Sequence, residues 1–285
     1  MAESSMLLTF NLLLEGAGIS PRDVRLMRHQ HVARDGLTPY VLWRDSPTEF
    51  ERYQSAQRAD RSAYFTGQYW ASFVVPPDNS TLFVGLYRIA GFSPVEPDWI
   101  DPLMRETATQ MGRALDIYQY DRLPEFDNLI GRLRVDWGKG ARTWAQRADS
   151  PSGNKPIIEL LKEFREPEFP GFTSFVGNLG GLPSLPSSWS TALSAARGVY
   201  LLTCPRTREQ YVGSACGIGG FWGRWQDYVA SGHGGNVALK SRDPSDYQIS
   251  ILEVAGSAAS ADDILAMERQ WKVKLQSLEM GLNRN

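Results

Sequence analysis

Cysteine is scarce in this chain: among 285 residues there are only Cys204 and Cys216. Two cysteines cannot build a disulfide framework, and such sparing use fits a reducing cytoplasm. Long apolar runs are missing as well, since no stretch reaches the ~18 residues a helical membrane span needs. The opening "MAESSMLLTFNLLLEG" has a short apolar patch, but no basic residue precedes it and acidic residues flank it, so it does not read as a signal peptide. There is no excess of positive charge. The net charge is −2, with 10 basic against 9 acidic residues over 191–285 and 20 against 23 over 1–190. A protein that grips nucleic acid everywhere draws its affinity from phosphate contacts and counterion release, so any such surface here must be a local patch. Histidine is rare too, with three in all. His29 and His31 stand two apart with no cysteine nearby, which is no zinc pattern.

What is present describes a folded protein: 42% hydrophobic residues, 22% charged and nine tryptophans give ample material for a core. At ~100–200 residues per domain the length suits one large domain or two modest ones. No internal repeat or low-complexity tract occurs. In "DSPTEFERYQSAQR" (45–58), Ser46 as N-cap, Pro47 at the first helical position and Glu49 announce a helix. "YWASFVV" (69–75) and "TLFVGLYRI" (81–89) read as strands around the turn "PPDNS", and "GRLRVDWG" (131–138) as an alternating strand. "KPIIELLKEF" (155–164) suits a short helix, and "RLMRHQHVAR" (25–34) offers a basic edge. The expected class is α+β in two domains: a mixed, barrel-like region over 1–175, a glycine-, proline- and serine-rich linker over 176–190, and a second unit over 191–285.

The second unit carries the chemistry. "GVYLLT" (198–203) and "EQYVGSA" (209–215) form a hairpin, and pairing Thr203 with Arg208 would set Tyr200 opposite Tyr211 on one face. Such a pair is either plain cross-strand packing or two phenols placed to hold a water and a phosphate oxygen. In "FWGRWQDYVAS" (221–231), Phe221, Arg224, Trp225 and Tyr228 share one helix side. An arginine there either snorkels to solvent or holds an anion. In "SADDILAMERQWKVKLQSL" (260–278), Ser260 and Asp263 make an N-terminal box, and an apolar stripe runs through Ile264, Trp271, Leu275 and Leu278. Glu268 occupies the missing place in that stripe. A carboxylate on a packing face is costly unless paired, for instance with Arg224, or set to bind a hard cation.

The order "GVY", "YVG" eleven residues on, an arginine in a helix, a helical glutamate and a late "GLN" resembles the GIY-YIG nuclease family. Val199 and Val212 replace the motif isoleucines, "YQISILEV" (247–254) supplies a third strand, and the resemblance covers about 198–283. It implies a small three-stranded antiparallel sheet flanked by helices, and hydrolysis of nucleic-acid phosphodiesters with Mg²⁺ or Mn²⁺. Tyr200 and Tyr211 would then shape the nucleophile site, with Tyr200 helping to deprotonate the water. Arg224 would stabilise the phosphate, Glu268 would bind the metal, and Asn283 would support the geometry. Tyr228 stands where relatives have histidine or tyrosine. His233 is similar to a second histidine of the intron-homing branch, and is either beside the substrate or solvent-facing. Ser214 stands where excision-repair relatives carry lysine.

The strand order of 1–175 faintly resembles PUA-like barrels, a group that includes readers of modified bases. On that resemblance Trp70, Trp137 and Trp144 with Arg142 would form a pocket for an extruded base; otherwise the tryptophans are core. The expectation is thus a cytoplasmic, metal-dependent DNA endonuclease of restriction or antiviral defence, with RNA left open as substrate. A repair or recombination nuclease and an inactive binding adaptor are the rivals. Double-strand cutting would need a homodimer or repeated visits.

Overall fold

The computed structural model describes residues 7–33, 36–65, 67–139, 144–204, 206–231 and 247–283. The chain falls into two compact units, Met1–Ala33 with Thr38–Glu166, and Arg34–Leu37 with Pro167–Asn285. Among the described residues no helix is long and apolar enough to cross a membrane.

The first unit is built on an open, mixed eight-stranded sheet. Its strands are β1 (Val24–His29), β2 (Ala56–Arg58), β3 (Tyr69–Val74), β4 (Thr81–Pro94), β5 (Leu115–Arg122), β6 (Leu133–Val135), β7 (Ala145–Arg147) and β8 (Ile157–Leu160). The order runs β2-β5-β4-β3-β1-β7, with β6 and β8 continuing from β4, and the described pairings do not close it into a ring. Helices α1 (Phe10–Gly16), α2 (Pro39–Asp45) and α3 (Pro47–Ser55) accompany it. Proline opens both α2 and α3, where its missing N–H costs nothing. Thr38 caps α2 by accepting from the Val41 amide, whereas Ser46 makes no side-chain cap on α3. Phe10, Phe73, Phe83 and Phe126 pack edge-to-face or tilted in one core.

Two local expectations yield to tertiary pairing here. Residues 155–164 form no helix; β8 pairs antiparallel with β6, Leu133 opposite Leu160. The backbone finds its partners across the sheet instead, with the Ile157 amide donating to the Leu8 carbonyl at 2.9 Å and that of Leu161 to the Arg132 carbonyl at 3.0 Å. Up to His29 the basic stretch is no edge either, because β1 lies between β3, to which it is parallel, and β7; His31 beyond it is exposed, and Arg34 lies outside the described residues. Arg28 and His29 are therefore buried. Arg28 is satisfied there by donating through Nε to Thr81 Oγ1 at 2.9 Å, with its guanidinium over the Trp137 ring.

The second unit holds β9 (Val176–Asn178), α4 (Ser187–Ala195), β10 (Gly198–Cys204), β11 (Glu209–Ala215), α5 (Gly220–Ser231), β12 (Gln248–Val254) and α6 (Ala261–Lys274). Its sheet is antiparallel in the order β11-β10-β12-β9, four strands where three were expected. The extra strand comes from the stretch read as a linker. Residues 176–190 instead make β9, a 3-10 turn and the start of α4, with Leu179, Leu182 and Trp189 buried. Asn178 caps the turn by accepting from the Gly180 amide at 2.9 Å, and the Trp189 indole donates to the Pro167 carbonyl at 2.8 Å. The glycines and prolines there shape a packed turn rather than a free tether. Gly220, at φ 54°, starts α5 so close to the end of α4 that a Cβ would lie 2.3 Å from the Ala196 oxygen.

Candidate active site

The β10–β11 hairpin pairs Tyr200 with Gly213 and Leu202 with Tyr211. The register thus differs by two from the expected facing of Tyr200 and Tyr211. The hairpin closes one residue further along, at Cys204 with Glu209 in place of Thr203 with Arg208: Arg208 takes a left-handed φ of 59° and its amide donates to the Cys204 carbonyl at 2.8 Å. Because side chains alternate with period two, an even shift keeps both tyrosines on one face, diagonal to each other. The glycine of "YVG" now has a reason. A Cβ on Gly213 would lie 2.5 Å from the Tyr200 hydroxyl, so only a bare backbone lets that ring lie across β11.

Helix α5 closes this face. Phe221, Trp225 and Tyr228 are buried against it, at the three- and four-residue spacing seen in the sequence. Tyr200 donates to the Tyr228 hydroxyl at 2.9 Å, and Arg224 Nη2 reaches the same oxygen at 3.4 Å. The half-buried guanidinium lies 4.9 Å from the Tyr228 ring centroid. Tyr211 completes the cluster, 6.5 Å from Tyr228 between centroids. Burial pushes the Tyr200 and Tyr228 phenols well above their ordinary pKa, neighbouring phenols add to this, and Arg224 only partly offsets it. Burial works against the Arg224 charge, but the phenol oxygens around it hold its pKa above the usual value. Tyr200 is therefore a neutral hydrogen-bonding group at rest, and taking a proton from water there requires positive charge beside it, which Arg224 supplies in part. Tyr200 and Tyr228 are 0% exposed and Tyr211 7%, so Tyr211 is the phenol most open to solvent.

Helix α6 begins as expected, with Ser260 and Asp263 forming both bonds of a capping box. Its buried stripe is narrower than read: Ile264, Glu268 and Lys272, four residues apart, while Leu278 is exposed and Trp271 turns to donate to Glu253 at 2.7 Å. Glu268, 9% exposed, is indeed on the packing face. It forms an ion pair with Lys272 Nζ at 2.9 Å and accepts from the Ser214 hydroxyl. Lys272 was missed as a partner, although the four-residue spacing displayed it. Ser214 pairs with Val199, so by alternation it stands on the opposite face of the sheet from Tyr200 and Tyr211. The phenols with Arg224 and the carboxylate thus occupy two sides of β11, an edge strand.

Asn283 is buried and spans both backbone groups of Val212, accepting from its amide at 3.0 Å and donating to its carbonyl at 2.8 Å. It acts as a short substitute strand on the exposed side of β11. His233 and Arg142 lie outside the described residues.

As a cation site, Glu268 fits by donor type. A carboxylate offers about four lone-pair positions, of which two are used, and Mg²⁺ typically takes one or two carboxylates and keeps waters. Lys272 is a competitor, since its ammonium already supplies the counter-charge. Among the described residues no group of three or more histidine, cysteine or acidic side chains could hold a metal.

The tryptophans of the first unit are not brought into one pocket. Trp70 is buried under Phe65 and Tyr118, and Trp137 is buried beside Phe73 with the Lys155 ammonium 4.3 Å from its ring. Both rings are committed to core packing at strand or near-strand positions. Of the three, Trp144 is half-buried and lines a cavity, beside Phe65 and His29.

No protein-family model matches the chain. No curated protein matches it either. Among solved structures, a mutant form of the catalytic domain of intron endonuclease I-TevI is similar at 23% identity and a TM-score of 0.27, covering 32% of this chain and 94% of that one. A second structure, of the catalytic domain of homing endonuclease I-TevI, is similar at 25% identity and a TM-score of 0.26, covering 31% and 98%.

Proposed function

We propose that the second unit hydrolyses nucleic-acid phosphodiesters, with DNA as its substrate. The observation that carries this reading is the pairing of two unusual features across one edge strand. Arg224 is held among three phenols on one side of β11, and Glu268 sits on the packing face of α6 on the other. Each sets a charge on a largely apolar face, and both stand at motif positions of the GIY-YIG resemblance. A phosphodiester lying over the β11 edge would meet the guanidinium as a fixed positive charge. Tyr211 orients the attacking water, and Tyr200 holds Tyr228, which in turn positions Arg224. A divalent cation at Glu268 supplies Lewis-acid stabilisation of the leaving oxygen when bound. Asn283 keeps β11 straight through Val212. The first unit is given the selection of the target, and restriction or defence is the setting we assign.

A second reading, a binding adaptor without activity, is favoured by one observation: Lys272 neutralises Glu268. Plasmid cleavage separates the two. Unmodified DNA and DNA with modified cytosines are incubated with Mg²⁺ or EDTA, using wild type, Arg224→Ala and Glu268→Gln. The glutamine keeps a partner for Ser214 and avoids leaving Lys272 facing an empty site. Cutting that needs Mg²⁺ and is lost in both folded variants supports the nuclease. Cutting indifferent to both variants overturns this site, and a folded protein that cuts neither DNA nor RNA supports the adaptor.

A further inference from the structure

The first unit contains a cavity of about 660 Å³, inside the ~300–1,000 Å³ range of small-molecule sites, that the proposed cleavage does not use. Its inner wall is aromatic. Trp144 and Phe65 pack with ring centroids 5.8 Å apart, and His29 lies 6.0 Å from Trp144. His29 is 3% exposed, and its Nε2 has no hydrogen-bond partner among the described residues. Burial pushes its pKa down to about 3, with Gln54 acting in the other direction, so the imidazole is neutral. A buried polar atom left unpaired costs ~1–3 kcal/mol, and His29 is among the residues that line the cavity, so an entering polar group has reason to meet it.

The mouth is cationic. Arg58, Arg61 and Arg113 line it, the last two exposed, with Arg58 sharing its charge with Asp60 at 2.6 Å. The carboxylate in the wall, Asp101, has an oxygen occupied by the amides of Leu103 and Met104, each at 2.8 Å. The complement of these features is a flat ring with a polar edge and an attached anion. An alkyl chain offers no edge for His29, and a bare phosphate makes no use of the rings.

We propose that this cavity binds a single nucleotide, its base stacked on Trp144 with a polar edge on His29 and its phosphate at Arg61 and Arg113. The same chemistry reaches the cavity as a free mononucleotide or as a nucleotide swung out of a strand. The strand-borne form rests on the target-selecting role given to the first unit; the pocket itself does not, nor does it depend on cleavage by the second.

The test uses the full chain in EDTA, so that binding is read without cutting. Tryptophan quenching and calorimetry follow titration with the four 5′-deoxymononucleotides, the matching nucleosides, inorganic phosphate, and a short duplex with or without one unpaired base. The expected result is saturable binding of a mononucleotide, at least tenfold weaker for its nucleoside and for phosphate. Affinity should also fall tenfold or more in Trp144→Leu and in the double variant Arg61→Ala, Arg113→Ala. Tight binding confined to the duplex with an unpaired base, and lost in the same variants, assigns the strand-borne source. The two arginines are exposed, so their variant decides if Trp144→Leu fails to fold. Phosphate binding as well as the nucleotide, affinity unchanged in the variants, or no binding of any probe by folded wild type overturns the proposal. Plasmid cleavage in Mg²⁺ is read separately, so loss of the pocket and loss of the nuclease reading are told apart.

Discussion

Replacing Asn283 by aspartate changes one atom and should undo the support of β11. In the native chain the side-chain amide meets both backbone groups of Val212, a fully buried residue on an edge strand. In Asn283→Asp one oxygen still accepts from the Val212 amide, but the other faces the Val212 carbonyl with no proton between them. The loss is one hydrogen bond, ~0.5–1.5 kcal/mol, together with an orphaned buried carbonyl at ~1–3 kcal/mol, or about 2–4 kcal/mol in all. Tenfold per ~1.4 kcal/mol translates this into exchange of the β11 amides faster by roughly thirty-fold to several hundred-fold, where opening is local. Protonating the new carboxyl restores a donor to the Val212 carbonyl. The folded state therefore raises its pKa above the ordinary ~3.9. The sign follows: the deficit is full above the raised folded pKa, shrinks as pH falls through it, and is least below the unfolded value. Hydrogen exchange of a peptide spanning 209–215, corrected for intrinsic rates and run at pH 8 and pH 5, reads the effect. Protection equal to wild type at pH 8, or a deficit that grows on acidification, refutes the reasoning.

Gly213→Ala should destabilise the second unit by ~1–3 kcal/mol, because the new methyl overlaps the Tyr200 ring and cannot be accommodated without breaking the Tyr200–Tyr228 bond. Urea unfolding followed by near-ultraviolet circular dichroism checks this, and an unmoved midpoint counts against the packing argument. Lys272→Met should tighten Mn²⁺ binding about five-fold or more, ~1 kcal/mol, by removing the ammonium that competes for Glu268. Electron paramagnetic resonance of the free ion measures it; unchanged or weaker binding shows that Lys272 is no competitor.

Much of the second unit was legible because its information is local. The capping box of α6, the aromatic side of α5 and the shared face of Tyr200 and Tyr211 all follow from spacings within one element or one hairpin. Even the misjudged turn left the face intact, since two residues are one full period of a strand. The Glu268–Lys272 pair is equally local, four residues apart on one helix face, and more accessible to a spacing argument than a bond to distant Arg224. The first unit was harder. A ten-residue segment of mixed apolar and charged residues such as 155–164 suits helix or strand about equally until β6 is there to pair with it. A run of arginines and histidines looks like surface until two neighbours enclose it.

By itself, the sequence determined the order of the motif residues, the helix starts and the presence of a carboxylate on a packing face, because each depends on contacts a few residues apart. Only the tertiary structure decided which partner that carboxylate takes and that it stands across β11 from the phenols. It also decided that Trp70 and Trp137 are core while Trp144 lines a cavity beside a buried histidine. Those outcomes depend on strands and loops far apart in the chain, and no spacing rule reports which of them will meet.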